Sequence, residues 1–536
     1  MSEAYQELLR GFTIEARGAS VELPSDVRSI GKWVEVLPRT DLLKTAELLG
    51  GALSRSLFRK NLGATRLNLM EALRPAVVDC IKGLDRQFLG SPLPLISDRL
   101  VKADHALFLH HAMAESYRRA VVELCHPEGD IPMMRSGNAA ACIAHSLWHY
   151  QQVLLLSWKL YRTPPAGIWS AMQACYRYAV SVKLNNQAVE DGPAQVTARP
   201  HDLFVQTVLL ALVNPLAFSP PELEQIKAIA DALAPRCTVC AVAASDHSAQ
   251  LPRDEGSAET AAGGFLEFDA FYHVLTESVS ANGGMSPVLL PDGRTLPMRT
   301  ALVKRMLRAL GQASARSAAR IYGEYRMDTV VGLSGVHFFA AGRIDFETYI
   351  QNLSRMGGQG ISTAADWLDS GETPSHRMLE ATVLDHSLGG YRLQWDAGQA
   401  PRARIGEVVG LNGAAPGIAE PDWMLGVIRW LRYEADGAVT AGIELLTRRC
   451  TALALRPVLG GHAGQLLRAL EIQPLDEGLP RAFLISGRIE QNSPRLEVLY
   501  GFEPYRIEAP RGMETVLTET TALAVNIDYT LLIEQN

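Results

Sequence analysis

At 536 residues the chain is too long for one typical domain, and two or three units are expected. Apolar residues make up 47% of the sequence and charged residues 20%, which is typical of a globular protein with buried cores. The formal net charge of −7 argues against a DNA-binding role, because DNA-binding domains usually present a basic face. Seven cysteines without a repeated spacing indicate reduced thiols rather than a disulfide framework.

We expect neither a secretory signal nor a membrane-spanning segment. The N-terminus is polar and acidic and lacks the apolar core of a signal peptide. The most apolar run, Phe204 to Phe218, contains Gln206, Asn214 and Pro215 and is too short to span a bilayer. The sequence therefore predicts a cytoplasmic protein with no membrane insertion and no nucleic-acid partner.

Residues 1–235 are predicted to form an all-α domain of helical hairpins. Two apolar stripes have the three- and four-residue spacing of one helix face. They are Leu42, Ala46, Leu49, Leu53 and Leu57, then Met70, Leu73, Val77, Ile81, Leu84 and Phe88. Further helices are predicted near 98–124, 138–160, 167–183 and 203–212. Ser219, Pro220 and Glu222 predict another helix start, because they match a capping box with proline in the first turn.

Residues 236–314 are predicted to be a connecting α/β segment. Cys237–Val242 has the pattern of one strand. Ser245–Gly264 is polar and poor in apolar residues, which predicts a flexible loop. Helices are expected over Phe265–Ala281 and Met298–Gly311.

Residues 315–447 are predicted to form a small antiparallel β-barrel with an insertion at about 336–373, which carries a helix over Phe346–Met356. Short strands broken by Gly and Asp favour a closed barrel over a parallel sheet. The dipeptide Asp436-Gly437 is typical of a hairpin turn. Strands are predicted at Tyr325–Val331, Thr382–Leu384, Tyr391–Trp395, Arg404–Leu411, Trp423–Arg432 and Val439–Leu446.

Residues 448–536 are predicted to be a C-terminal β-rich unit, either an extension of the barrel or a second β unit. One helix is expected over Ala463–Leu470. Strand-like alternation covers 453–459, 481–488, 496–500 and 521–533. The predicted fold class is therefore a multidomain α+β protein.

Two polar motifs lie in the barrel region. Arg316 and Arg320 form an RxxxR, while Asp385, Ser387 and Gly390 form a DxSxxG between predicted strands. Each motif alone is weak, since such arginines usually lie on a solvated helix face and Asp, Ser and Gly all favour turns. In this order and beside these strands, they resemble the bipartite signature of PilZ domains. The resemblance implies a PilZ-type barrel that binds cyclic-di-GMP.

The motif residues suit this ligand. Positions two apart in a strand share a face, so Asp385 and Ser387 can converge on one ligand. A carboxylate accepts hydrogen bonds from guanine N–H groups, and arginine pairs bidentately with guanine or with phosphate. Glycine lets the backbone approach a flat ligand or turn sharply. The predicted cyclic-di-GMP-binding residues are Arg316, Arg320, Asp385, Ser387, Gly390 and, as a further phosphate or base contact, Arg429.

The helical region carries a second resemblance. Residues 65–77, 161–179 and 208–226 are similar to the N-terminal region of FimW-type receptors, which are bacterial cyclic-di-GMP effectors linked to type IV pili and surface attachment. The resemblance implies a non-enzymatic receptor with a protein partner, for which the pilus machinery is one candidate, and a place at the cell pole. Ligand binding would fix the Arg316–Arg320 segment and re-aim the preceding helix against the helical domain.

Alternatives stay open at this point. The barrel could be a degenerate PilZ domain that binds no nucleotide and serves as an interaction scaffold, although the presence of both motifs argues against this. The insertion separates the first strand from Asp385 by more than fifty residues, so Arg377 competes with Arg316 and Arg320 for the place over Asp385.

A metal-dependent hydrolase is a weaker interpretation. Cys142, His145 and His149 fall on one helix face, as metal ligands would. No acidic residue lies between the histidines to serve as a general base, and helix packing explains the spacing equally well. We expect no metal and no catalytic residues.

Overall fold

The computed structural model describes residues 2–12, 14–24, 26–57, 62–191, 196–255, 264–279, 284–311, 320–357, 377–399, 401, 403–412, 423–459, 462–473, 480, 482–487, 495–500, 515–524 and 529–534. The chain divides into two compact units, Met1–Ser314 and Ala315–Asn536. In the part of the chain so described, no helix is both long enough and apolar enough to cross a membrane.

Helices build most of the first unit, and the predicted apolar stripes are buried in its core. The capping box is present: the Ser219 N–H donates to a Glu222 carboxylate oxygen at 2.7 Å. The helices are α1 Glu3–Leu9, α2 Val27–Glu35, α3 Leu42–Gly51, α4 Thr65–Phe88, α5 Ser97–Leu124, α6 Ser136–Lys159, α7 Ile168–Ser181, α8 Pro200–Leu212, α9 Pro220–Leu233, α10 Asp269–Ser278 and α11 Thr300–Leu310.

Seven short strands complete the described part of the first unit. They are β1 Val189–Asp191, β2 Val196–Ala198, β3 Thr238–Cys240, β4 Ser248–Gln250, β5 Phe265–Glu267, β6 Met285–Leu289 and β7 Thr295–Arg299. Two details differ from the sequence-based expectation. Strand β4 lies inside the predicted loop, and the predicted helix at 265–281 begins only at Asp269. The reason is tertiary, because β5 is the central strand between β3 and β4 and buries Leu266.

The second unit begins with a closed six-stranded barrel. Its strands are β8 Ile321–Val331, β9 Leu379–Ser387, β10 Gly390–Trp395, β11 Val408–Asn412, β12 Trp423–Tyr433 and β13 Val439–Thr447. Neighbours are antiparallel, in the closed order β10-β13-β12-β11-β8-β9. The interior holds alternate side chains such as Val383, Leu393 and Trp395, all fully buried. The predicted antiparallel barrel is confirmed.

Two helices between β8 and β9 attach the barrel to the C-terminal strands. The predicted helix is confirmed as α13 Phe346–Gly357, and α12 Leu333–Ala340 precedes it. His337 Nε2 lies 3.2 Å from the Leu453 carbonyl oxygen, and the Tyr349 hydroxyl donates to the Ala452 carbonyl at 2.9 Å. The inserted segment thus contributes to the core of the second unit.

The C-terminal strands form a sheet of their own. They are β14 Cys450–Leu459, β15 His462–Ala463, β16 Leu467–Ile472, β17 Ala482–Ser486, β18 Arg495–Tyr500, β19 Thr515–Ala524 and β20 Tyr529–Glu534. Because β14 pairs with both β16 and β18, six strands close into a ring, β14-β16-β17-β20-β19-β18. When the six strands of each ring are numbered in chain order, their order around the ring is first, second, third, sixth, fifth and fourth. The two halves of this unit therefore repeat one strand plan.

One expectation for the C-terminal region is wrong, and another becomes more specific. Residues 463–470 do not form a helix: His462–Ala463 and Leu467–Ile472 are strands. The strand-like stretch 521–533 is divided between two strands, because Thr521–Ala524 belongs to β19 and Tyr529–Ile533 to β20, which pair with each other. In both places the ring decides the outcome, since β16 is hydrogen-bonded on both sides, to β14 and β17.

Trp395→Phe should destabilise the first barrel. Trp395 is fully buried, and its Nε1–H donates to the Thr329 hydroxyl at 2.8 Å, which itself donates to the Leu379 carbonyl at 2.8 Å. Loss of the indole bond should lower the free energy of unfolding by about 1–3 kcal/mol, measured by chemical denaturation. Thr329→Val removes the same bond, so the two costs should be less than additive in the double variant; strict additivity would contradict the coupling.

Candidate functional site

The DxSxxG motif forms the tip of the β9–β10 hairpin. Asp385 and Ser387 lie on β9, two positions apart, and Gly390 opens β10 directly opposite Ser387. Leu388 and Gly389 form the turn between them. The strands predicted on both sides of the motif are present, so the hairpin holds Asp385 and Ser387 on one face, as their spacing predicts.

Arg320 contacts Asp385. Arg320 immediately precedes β8, which pairs with β9 so that Tyr322 lies opposite Asp385. One guanidinium N–H donates to Asp385 Oδ1 at 3.0 Å. The carboxylate side chain is 4% exposed and the arginine side chain 36% exposed. Strand pairing therefore brings the two residues together, whatever the length of the chain inserted between the strands.

The other candidate arginines differ in position. Arg316 lies outside the described residues. Arg377 precedes the far end of β9, which begins at Leu379. Eight residues of extended chain, roughly 26 Å, separate it from Asp385. Arg377 is thus not the arginine over this carboxylate.

A second arginine, Arg392, flanks Asp385 and was missed in the sequence analysis. It lies on β10 directly opposite Asp385, with Nε 3.0 Å from Oδ2. The two groups are not aligned as a hydrogen bond, and Oδ2 is a buried oxygen without a hydrogen-bond partner among the described residues. The position of Arg392 could have been predicted from the hairpin, because a two-residue turn that pairs Ser387 with Gly390 also pairs Asp385 with Arg392.

Gly390 has a structural role at this position. A Cβ there would overlap the Ile443 carbonyl oxygen of the neighbouring strand β13. The absence of a side chain therefore lets β10 and β13 approach each other, whether or not a ligand also uses the space.

Arg429 lies beside the hairpin but already has a partner. It occupies the irregularity of β12 between Ile428 and Trp430, and it forms an ion pair with Glu444 of β13. Glu444 is in turn opposite Gly390. Arg429 is thus near the motif, with its charge shared by a carboxylate.

Aromatic side chains line one side of the hairpin. Tyr325 meets the His386 ring edge-on at 6.0 Å, and Tyr391 stacks on it at 5.8 Å. Partial burial raises the pKa of both phenols. They are therefore neutral at physiological pH.

The helical Cys142, His145 and His149 set lies within the core of the first unit. All three are buried, and His149 Nδ1 lies 3.0 Å from His110 Nδ1. Burial lowers the pKa of His110 to about 3 and raises that of the Cys142 thiol, so both groups are neutral. The described residues include no group of three or more His, Cys, Asp or Glu side chains arranged to hold a metal ion.

Gly390→Ala should destabilise the barrel whatever the ligand. The added methyl group meets backbone rather than a movable side chain, so we expect a loss of about 1–3 kcal/mol in the free energy of unfolding. Gly389→Ala is the matched control, because a Cβ at Gly389 meets nothing within 4 Å. Equal thermal stability of the two variants would contradict the steric role of Gly390.

Comparison with known proteins gives a consistent result for both units. A family model described as the N-terminal domain of the cyclic-di-GMP receptor FimW matches residues 28–244. A second, described as the middle PilZ domain of that receptor, matches residues 291–366 and 361–452. Over 90% of its length the chain is 24% identical to the cyclic-di-GMP receptor FimW of Pseudomonas aeruginosa, of which it covers 87%.

Proposed function

Because the chain belongs to the FimW family of cyclic-di-GMP receptors, we propose that its first barrel binds cyclic-di-GMP at the β9–β10 hairpin. The observation that carries the proposal is the contact of Arg320 with Asp385 across β8 and β9. One arginine of the RxxxR thus contacts the aspartate of the DxSxxG, although a long insertion separates them in sequence.

The chemistry of the site suits a dianionic ligand with two guanine bases. Arg320 and Arg392 place two guanidinium groups around one carboxylate, which leaves a positive surplus for phosphate. A carboxylate such as that of Asp385 can accept hydrogen bonds from guanine N–H groups, and the Ser387 hydroxyl can donate or accept. Arg316 and Arg429 are the further cationic groups in the proposed site.

The role we propose is that of a receptor rather than an enzyme. Arg316 and Arg320 lie in the stretch of chain between α11 and β8, which connects the two units in sequence. A ligand that binds both arginines would therefore act on this connecting stretch. Binding would then change how the helical unit meets a protein partner, with the pilus machinery as the candidate and type IV pili or surface attachment as the output. A ligand shifts such an equilibrium only by its different affinities for the two states.

Arg320→Ala should weaken cyclic-di-GMP binding by roughly 10- to 100-fold, since a hydrogen bond to a charged group contributes about 1.5–3 kcal/mol. Calorimetric titration of the purified full chain measures this. Arg320→Lys should recover only part of the affinity, because lysine keeps the positive charge but cannot form the bidentate hydrogen bonds of a guanidinium group. Thermal stability should change little, because Arg392 still flanks Asp385.

Arg326→Ala is the matched control for this titration. Arg326 lies on β8, which Arg320 immediately precedes, and it is also paired with acids, Glu380 and Asp396, at 3.5 and 3.1 Å. Its replacement should leave affinity unchanged. Wild-type affinity in Arg320→Ala would refute the assignment of this arginine, and no binding by the wild-type chain would favour the degenerate-scaffold alternative.

In a bacterium that carries this chain, we expect Arg320→Ala to reduce surface attachment to the level of a deletion strain. The control is the Arg326→Ala strain, with the abundance of both variants measured by immunoblot. If the Arg320→Ala strain attached fully while its variant protein was present at normal abundance, the proposed role in attachment would not depend on nucleotide binding.

A further inference from the structure

One row of residues crosses the outer face of the first barrel. Strand register places Tyr322 opposite Asp385, Asp385 opposite Arg392, Arg392 opposite Gly442, and Gly442 opposite Trp430. Residues paired in register point to the same face, and the interior of β10 is filled by the alternate side chains. A bulge where Arg392 pairs with Asp385 but Leu393 with Val383 turns Asp385 to the face opposite Val383, so the row lies outside the barrel, with an aromatic residue at each end.

Trp430 lies against the backbone of β13. A Cβ at Gly442 would overlap the indole Nε1 of Trp430, so the glycine makes room for the ring. The indole is half-buried rather than enclosed. One side of the ring system is thus held by the strand, while part of it remains accessible.

A groove of about 590 Å³ surrounds this tryptophan. Its lining includes Trp430, the arginines Arg392 and Arg432, and the acids Glu434 and Asp436. This volume is in the usual range for a small-molecule site. Arg392 joins the groove to the carboxylate of Asp385, whereas the Arg432 Nε–H donates to Glu434 at 2.7 Å.

The groove pairs an aromatic platform with Arg392, whose Nε is ion-paired with Asp385 Oδ2 at 3.0 Å and whose side chain is 38% exposed. Aromatic rings hold nucleobases by stacking, and arginine adds hydrogen bonds to guanine or to phosphate. Counted along the curved sheet through β10 and β13, three strand spacings, roughly 14 Å, lie between the backbones of Asp385 and Trp430, and the indole lies back over Gly442 of β13. One base cannot reach both residues, whereas a ring that carries two bases can.

We propose that Trp430 stacks one guanine of the cyclic dinucleotide, with Arg392 contacting that base or the adjacent phosphate, while Asp385 and Arg320 hold the other end. This inference rests on the proposed function and adds a second base subsite, on β10, β12 and β13. It assigns Gly442 the role of positioning the indole.

Trp430→Leu and Trp430→Phe distinguish stacking from packing. Leucine keeps an apolar side chain over Gly442 but has no aromatic face, whereas phenylalanine keeps both. Calorimetric titration of the full chain with cyclic-di-GMP should show affinity at least roughly fivefold weaker in Trp430→Leu, since base–aromatic stacking contributes about 1–3 kcal/mol, and close to wild type in Trp430→Phe. Ligand-induced quenching of tryptophan fluorescence should be smaller in Trp430→Phe than in the wild type.

Arg392→Ala should weaken binding as well. Its control is Arg456→Ala, which removes an arginine paired with Glu497 on a strand of the C-terminal ring and should leave affinity unchanged. The two hypotheses fail differently. No binding by the wild-type chain refutes the proposed function itself. Wild-type binding with unchanged affinity in Trp430→Leu refutes only the platform. Equal loss of affinity and of thermal stability in both Trp430 variants assigns the indole a packing role and also overturns it.

Discussion

The antiparallel pairing of β9 with its two neighbours is the constraint on which the site depends. Pairing with β8 places Arg320 beside Asp385, and pairing with β10 places Arg392 on the other side of the same carboxylate. A shift of either register by one residue would turn the aspartate to the other face of its strand. The site therefore exists only because the barrel fixes three strands in one register.

Burial of the Asp385 carboxylate explains why it has two arginine neighbours. An isolated buried charge is unfavourable, and opposite charges with good geometry are needed to offset the loss of water. Arg320 supplies a hydrogen bond, while Arg392 supplies charge at close range without an aligned bond. The charges are neutralised but the hydrogen bonds are not all formed, because Asp385 Oδ2 and Arg392 Nε lie 3.0 Å apart without the alignment of a hydrogen bond.

The same order of strands occurs twice in the second unit, but the two rings differ in their sequence motifs. Both rings follow one order of six antiparallel strands. Only the first carries the DxSxxG motif, since no such motif occurs in residues 448–536. Helices α12 and α13, which interrupt the first barrel in sequence, hydrogen-bond to β14 of the second ring through His337 and Tyr349. A segment that looks like a disruptive insertion thus contributes contacts between the two rings.

The sequence by itself determined the helical first unit, the barrel strands around Asp385 and the identity of the motif. Those features depend on local periodicity and turn chemistry: the stripe from Met70 to Phe88, the capping box at Ser219, and the alternation on both sides of Asp385. Tertiary structure decided which distant residues meet. Arg320 and Asp385 are joined by strand pairing across an insertion, and Trp430 and Arg392 come to one groove only in the closed barrel. The strands at Phe265–Glu267 and Leu467–Ile472 likewise form because neighbouring strands supply hydrogen bonds that a local pattern does not encode.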